Sequence, residues 1–416
     1  MSDLEGAWWH HEPVLRRFVS DVVAAQMALL RPTGYATPAS PFDATVSLTR
    51  DLGVDSLEMS AVAGALNEAL HLHESGIEDR LLMRPTVGEW VATAMEGLDA
   101  FSSVVTFRTS GSTGPRQRCA HSLADLQEEV TELCALLAGR QRVLAAVRSH
   151  HIYGFLFTVL LPHALRLGES AVIDVRQSLP SSVLSRMRPG DLVIGYPDFW
   201  RSIAALQARI PQGVVGVTST APCPDSIGHD LEQSGLEALL QVYGSTETAG
   251  VGVRTSPDSP YSLFSFWRRS ATSVGDIVRV SRDGRHTTRP LQDVLDWVDD
   301  RHFRPTGRID DVVQVAGVNV SLHAVRRTLL AHPAVRDAAV RLMSNESLSR
   351  LKAFVVPYDT DIDRRRLQGE LEEWVKERLG ALERPRAFSF GGALPVDAIG
   401  KSIDWGLDTI RDPIHQ

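Results

Sequence analysis

Cysteine and lysine are scarce in this sequence, and long apolar runs are missing. Three cysteines, Cys119, Cys134 and Cys223, stand among 416 residues. An odd number without CxxC spacing argues against a disulfide framework or a zinc site, and it suits a reducing compartment. The cytoplasm is therefore the expected location. No stretch of 18 apolar residues occurs, which excludes a transmembrane helix and makes a membrane an unexpected partner. The start, MSDLEGAWWHHEP, is acidic and polar, unlike a secretory signal. No basic face is evident, which argues against nucleic acid as a general partner. Internal repeats and low-complexity tracts are lacking too. Of the 43 basic residues only Lys352, Lys376 and Lys401 are lysine. Arginine is the default cation here, so a lysine kept in the glycine-flanked loop ending Ile399-Gly400-Lys401 asks for a reason. A lysine is a compact, flexible point charge, which arginine is not. A Walker A loop is absent: for the Gly400–Ser402 stretch, Pro395 occupies the position of the first glycine.

What is present is ordinary for a globular chain, with 43% hydrophobic and 23% charged residues. At roughly 100–200 residues per domain, two to four units fit. Charge divides the chain. Residues 1–100 hold 15 Asp/Glu against 6 Arg, a balance of −9, while the rest is close to neutral. Such asymmetry points to units with different partners. Helical spacing over 13–31 places Val14, Phe18, Val22 and Leu29 inward, and a helix over 56–70 turns Leu57, Val62, Leu66 and Leu70 inward. Asp55 with Glu58 and Thr86 with Glu89 form two capping boxes. From Phe101 strand-like runs at 104–108, 143–147, 171–175, 192–195 and 214–218 alternate with helical stretches, an α/β pattern. After Gly307 a smaller α+β unit is expected. It reads as strand 311–315, helix 322–330, strands 338–342 and 351–357, helix 363–379 and strand 387–390. The expected fold is thus multidomain: an all-α bundle over 1–98, an α/β core over 101–307 and a small α+β domain over 308–416.

Asp51-Leu52-Gly53-Val54-Asp55-Ser56-Leu57-Glu58 puts Ser56 in the first turn of a helix, where the N-terminus favours a phosphate. From capping alone, Ser56 is equally an incidental residue of a common box. The motif resembles the phosphopantetheine attachment site of acyl carrier proteins, over roughly residues 10–97. That resemblance implies a 4′-phosphopantetheine arm on Ser56, added by a phosphopantetheinyl transferase.

Four further motifs follow in order. Thr109-Ser110-Gly111-Ser112-Thr113-Gly114 comes after a strand. Glycines let the backbone approach an anion and hydroxyls add donors, so it reads as a phosphate loop; the same composition also makes a plain surface turn. Tyr243-Gly244-Ser245-Thr246-Glu247-Thr248 sets a carboxylate among hydroxyls, a combination that can hold Mg²⁺ or simply form a solvated turn. Gly307-Arg308-Ile309-Asp310-Asp311 opens the C-terminal unit, as a hinge or a surface turn, and Lys401 closes the series. In this order the motifs resemble the adenylate-forming superfamily of acyl-CoA synthetases, carrier-protein ligases and peptide-synthetase adenylation domains. The resemblance covers about 101–416. It implies that Thr109 and the loop Ser110–Gly114 wrap the ATP phosphates, with Tyr243 and Gly244 in the nucleotide site. Thr246 would contact the adenylate phosphate, and Glu247 would bind Mg²⁺. Asp293 and Arg308 would contact the ribose, Asp310 would be the hinge of a rotating C-terminal domain, and Lys401 would bridge carboxylate and α-phosphate.

His150-His151-Ile152-Tyr153-Gly154 is similar to the aromatic/histidine segment beside the acyl pocket of that superfamily, and the run to Pro162 resembles shorter aryl and acyl AMP-ligases. A histidine pair can equally be packed in a core. It is a poor metal site, because neighbours on an extended strand face opposite ways and no third ligand is apparent. Two departures from the superfamily stand out. The phosphate loop continues as Pro115-Arg116-Gln117-Arg118, without the usual lysine after the proline. Full-length members also carry well over a hundred residues before this loop, and here the carrier-like unit fills that space, which implies a truncated core. The reading is a ligase that converts an aryl or fatty acid and ATP to acyl-AMP. It then passes the acyl group to a phosphopantetheine thiol, on Ser56 or on a separate carrier protein. Free CoA as acceptor and a non-catalytic carrier or scaffold are the alternatives.

Overall fold

The computed structural model describes residues 7–31, 41–109, 117–271, 273, 275–308, 312–315, 318–343, 350–359, 361–395 and 404–406. The chain divides into two compact units. The first holds Met1–Arg268 with Arg279–Thr287, the second Arg269–Val278 with Thr288–Gln416.

The first unit begins with four helices: α1 (Glu12–Leu30), α2 (Ser56–Leu70), α3 (Arg80–Met83) and α4 (Val87–Ala100). Both capping boxes form. Asp55 accepts from the Leu57 and Glu58 amides while Glu58 accepts from the Asp55 amide, and Thr86 and Glu89 exchange the same pair of bonds. Val14, Phe18, Val22, Val62, Leu66 and Leu70 are buried as expected. Leu29 and Leu57 are not, at 42% and 81% exposure. The inward stripe of α2 starts at Met59, and Leu57 lies about 200° around the helix from it.

These helices share their compact unit with the α/β layer, and α1 is tied to that layer by buried charge. The Arg17 guanidinium donates to the Thr158 carbonyl at 2.8 Å. The Asp21 carboxylate accepts from the Ser149 amide and hydroxyl, both at 2.7 Å, and pairs with Arg176 at 2.5 Å.

The layer itself opens with an antiparallel pair, β1 (Val104–Arg108) and β2 (Arg118–Ser122), followed by α5 (Leu123–Leu136). Next come β3 (Val143–Ala145), a helical stretch made of α6 (Ile152–Phe155), a π-helical turn over Leu156–Leu160 and α7 (Leu161–Ala164), and β4 (Val172–Asp174). Then follow α8 (Pro180–Arg186), β5 (Leu192–Gly195), α9 (Pro197–Ala204), β6 (Val215–Thr218), α10 (Asp225–Gln233), β7 (Ala238–Ser245), β8 (Ala249–Arg254) and β9 (Tyr261–Leu263). Within this unit the strands run in the order β4-β3-β5-β6-β7-β8-β9. The first five are mutually parallel, and β8 and β9 add antiparallel. Parallel strands are covered on both faces, which is why they read as unbroken apolar runs. Leu144, Val193, Leu239 and Trp200 meet in their core, and the Trp200 indole N–H is satisfied by the Val217 carbonyl at 3.0 Å.

Three short strands follow, β10 (Trp267–Arg269), β11 (Asp276–Val280) and β12 (His286–Pro290). The second unit contains the antiparallel pair β13 (Asp293–Trp297) and β14 (His302–Arg308), then the pair β15 (Val312–Val315) and β16 (Val318–Ser321). Helix α11 (Leu322–Leu330) leads into a sheet of β17 (Val335–Leu342), β18 (Leu351–Pro357) and β19 (Ala387–Phe390). Strands β18 and β19 are parallel, a pairing that requires a crossover, and α12 (Arg364–Arg378) supplies it. Val325, Leu329, Leu367, Leu371 and Phe388 form the core. Lys352 is buried on β18, where its ammonium donates to the Trp405 carbonyl at 2.6 Å and pairs with Asp404 at 2.7 Å.

Candidate active site

Five parallel strands share one carboxyl edge, and the chain order 4-3-5-6-7 reverses direction at β3. Open α/β sheets bind ligands outside the carboxyl ends of their strands, at such a reversal. Several expected site residues of the first unit fall there. His150 and His151 follow β3, and Thr246 and Glu247 follow β7.

The Tyr243–Thr248 segment is the end of β7 and the tight turn into β8. Its hydroxyls divide into two sets. Ser245 and Thr248 build the turn: their hydroxyls lie 3.1 Å apart, Ser245 Oγ accepts from the Glu247 and Thr248 amides, and Thr248 donates to the Ala249 carbonyl at 2.9 Å. Thr246 and Glu247 sit at the tip, half-buried, and their side chains take no hydrogen bond or ion pair among the described residues. Gly244 is required where it stands, because a Cβ there would come within 2.1 Å of the Ala249 carbonyl oxygen. An uncommitted carboxylate beside an uncommitted hydroxyl fits a hard, oxygen-seeking cation such as Mg²⁺.

Two groups that the sequence reading overlooked hold this turn. His121 on β2 places Nε2 2.7 Å from the Thr246 carbonyl oxygen. It thereby connects the turn to the β1–β2 pair, whose strands lead to and from the expected phosphate loop. The neck of that loop is described: the Thr109 amide donates to the Gln117 carbonyl at 2.9 Å, and the Gln117 amide donates back to the Thr109 hydroxyl at 2.9 Å. Ser110, Gly111, Ser112, Thr113 and Gly114 lie outside the described residues. On the other side, Glu129 of α5 is fully buried and accepts from the Gly250 amide at 3.1 Å. Desolvation pushes its carboxyl up to about 7, against the pull of the Gly250 amide and Arg279. The signal for Glu129 was legible in principle, as an acid within the inward stripe Leu126, Val130 and Leu133. His121 had no such mark.

The histidine pair corrects an expectation. His150 and His151 lie on a turn rather than an extended strand, and their rings lie side by side, centroids 4.1 Å apart and planes inclined by 40°, instead of facing opposite ways. No third metal-binding side chain joins them among the described residues. The turn is tight because Gly154 approaches the backbone of Arg148, where a Cβ would fall 1.8 Å from the carbonyl oxygen. Tyr153 is buried and donates to the Gly195 carbonyl at 3.0 Å, and burial holds its phenol well above the usual range. It stays neutral and ties the segment to the end of β5. At the end of β6, Thr220 is a β-branched residue at φ 79°. Strain of that kind collects at functional edges, and nothing in the sequence announced it.

In the second unit, Asp293 and Arg308 occupy directly paired positions of β13 and β14. The two residues expected at the ribose thus stand opposite one another in strand register. Asp310 and Lys401 lie outside the described residues. Ser56 is exposed in the first turn of α2, its hydroxyl open to solvent. No helix among the described residues is long and apolar enough to cross a membrane.

Comparison with known proteins adds to this geometry. The sequence model described as AMP-binding enzyme matches residues 47–278, and that of the AMP-binding enzyme C-terminal domain matches 327–401. A 4-coumarate–CoA ligase of Halorhodospira halophila is 42% identical, over 83% of this chain and 87% of its own length. A 4-coumarate–CoA ligase of Rhodobacter capsulatus is 35% identical, over 94% of this chain and all of its own. That second relative thus matches all but 6% of this chain. Among solved structures, o-succinylbenzoate CoA synthetase of Bacillus subtilis in complex with ATP and magnesium ion superposes with a TM-score of 0.58 at 18% identity, over 78% of this chain and 73% of that one. An ATP-bound RpMatB-BxBclM chimera gives 0.63 at 16% identity, over 92% and 91%. At such identities the structures speak for the fold.

Proposed function

The chain belongs to the AMP-binding enzymes of the adenylate-forming superfamily, and from that footing we propose that it joins an aromatic acid of the hydroxycinnamate type to coenzyme A. ATP-dependent activation of a carboxylic acid as its acyl-AMP comes with the family, as does an acid–thiol, AMP-forming ligation. The finer reading rests chiefly on one observation: relatives that match nearly the whole chain, at similar length, bear the name 4-coumarate–CoA ligase.

A carboxylate oxygen attacks the α-phosphorus of ATP and pyrophosphate leaves with its electron pair. The CoA thiolate then attacks the acyl carbonyl and AMP leaves. A carboxylate is a poor nucleophile toward another anion, so positioning and neutralisation of phosphoryl charge carry the first step. We assign Thr109 and the loop Ser110–Gly114 to the phosphates, beside Tyr243 and Gly244. Thr246 is assigned to the adenylate phosphate, and Glu247 would hold Mg²⁺. The ion, when bound, neutralises charge on the phosphate oxygens. Asp293 and Arg308 are assigned to the ribose, Asp310 to the hinge, and Lys401 to the acid–phosphate junction. The adjoining pair His150 and His151, with Tyr153, is assigned to the acid. The domain division proposed is 1–98, 101–307 and 308–416.

The phosphopantetheine reading is kept as a competitor because Ser56 is exposed and open to modification. One experiment separates the two acceptors. Purified protein is incubated with ATP, Mg²⁺, CoA and a panel of aromatic and fatty acids, and products are resolved by liquid chromatography and mass spectrometry. A CoA thioester of an aromatic acid is expected, and Ser56→Ala should form it equally fast. Acyl mass found only on protein treated with a phosphopantetheinyl transferase, and lost in Ser56→Ala, would overturn the CoA reading.

A further inference from the structure

The far end of α2 gathers three ligand-type side chains that the ligase chemistry does not use. His71 at the helix C-cap, and His73 and Glu74 on the following 3₁₀ turn (Leu72–Ser75), each place a ligand atom within 4.8 Å of the other two. Among the described residues this is the one such group. His71 has left-handed backbone at φ 54°, which turns the chain so that the two imidazole centroids lie 5.5 Å apart. His73 Nε2 is 3.6 Å from Glu74 Oε1. A tetrahedral zinc ion with bonds of ~2.0–2.2 Å separates its ligands by about 3.4 Å. His73 and Glu74 thus already stand near that spacing. Closing the rest needs side-chain shifts of roughly 1 Å, which two exposed residues can make.

A second, independent feature concerns the other ring nitrogens. His71 Nε2 lies 2.8 Å from the Thr106 hydroxyl. His73 Nδ1 lies 3.2 Å from Asn67 Oδ1, which is itself fixed by the His73 amide at 2.8 Å. Metal-binding histidines characteristically give their outer N–H to an oxygen in this way, which sets ring orientation and tautomer.

We propose that His71 Nδ1, His73 Nε2 and a Glu74 carboxylate oxygen bind one Zn²⁺ ion, with water completing the shell. Two imidazoles and one carboxylate suit that borderline ion. The ion would fasten the end of α2 beside Thr106, three residues before the Thr109 neck on the strand that leads to the phosphate loop.

The test uses tag-free, chelator-treated full-length protein titrated with ZnCl₂ alone by calorimetry, and with Co²⁺ for its visible spectrum. One ion per chain is expected, with tetrahedral cobalt bands that Zn²⁺ displaces and a melting temperature raised by a few degrees. His73→Ala and Glu74→Ala should each weaken binding by at least tenfold. Asn67→Ala, which removes the outer partner of the ring together with the acceptor of the His73 amide, should weaken it ~10–100-fold. Both ligand positions are exposed, so metal-free melting should be unchanged in those two variants, separating lost ligation from lost folding. Absence of one-to-one binding below about a millimolar, or equal affinity in wild type and both ligand variants, would overturn the site.

Discussion

Single side chains carry the sharpest consequences of this structure. Glu247 is a carboxylate without a partner among the described residues, on a turn that the Ser245 and Thr248 hydroxyls hold. Glu247→Gln keeps the size and removes the charge, so the turn should persist while the proposed Mg²⁺ ligand is lost. Acid-dependent ATP–pyrophosphate exchange should fall by roughly 10²-fold, with melting temperature unchanged. Unaltered exchange would refute the role. Glu129 makes a different prediction, about pH. Its carboxyl titrates near about 7 in the fold against an ordinary value of 4.5. The folded chain therefore keeps a proton that the unfolded chain has lost between those values. Stability should decline as pH rises from about 4.5 to about 7 and then level off, a span worth about 3 kcal/mol at 1.36 kcal/mol per pKa unit. Glu129→Gln still accepts from the Gly250 amide through its Oε1, so the decline should vanish. Melting curves at pH 5 and pH 8 decide it, and an unchanged slope in the variant would contradict the burial argument.

At the scale of elements, α1 is held by charge rather than by apolar packing alone. Asp21 receives Ser149 and Arg176, and Arg17 reaches the Thr158 carbonyl in the π-helical turn that follows the histidine pair. Asp21→Asn leaves the buried Arg17 guanidinium under-compensated and takes one of two carboxylates from the half-buried Arg176. It should cost about 3 kcal/mol in urea unfolding, and it should raise KM for the acid more than it lowers kcat, because the Ser149–His151 turn loses its anchor. Equal loss of both, or none, would show that α1 does not position that turn. Legibility from the sequence follows the same physics. The capping boxes at Asp55 and Thr86 were readable because they are local, and so were the parallel strands β3 to β6, whose apolar runs mark burial on both faces. The antiparallel strands β8, β9, β13 and β14 were not read, being short, partly exposed and irregular. Leu57 misled because helical spacing alone does not say where a stripe begins. His150 and His151 misled because Gly154 permits a turn where alternation suggested a strand. The partnership of His121 with the Thr246 carbonyl spans 125 residues and could not be seen along the chain.

For the whole molecule, the ordered motifs from Thr109 to Lys401 were legible because a nucleotide site needs particular side chains at particular turns. The place of the first hundred residues was harder. Their acidic balance and the Ser56 motif suggested a carrier, whereas the structure sets four helices in one compact unit with the α/β layer. Lys401 should be indispensable for adenylation: Lys401→Ala is expected to lower ATP–pyrophosphate exchange by ~10²-fold or more, as for loss of a charge on transferring phosphate. Ser56→Ala should leave it untouched. The most direct measurement is CoA thioester formation from 4-coumarate, ATP and Mg²⁺, followed by mass spectrometry for wild type, Lys401→Ala and Ser56→Ala side by side. The account predicts thioester in wild type and Ser56→Ala and almost none in Lys401→Ala. Wild-type protein that makes acyl-AMP but no CoA thioester, and loads an arm on Ser56 instead, would contradict it.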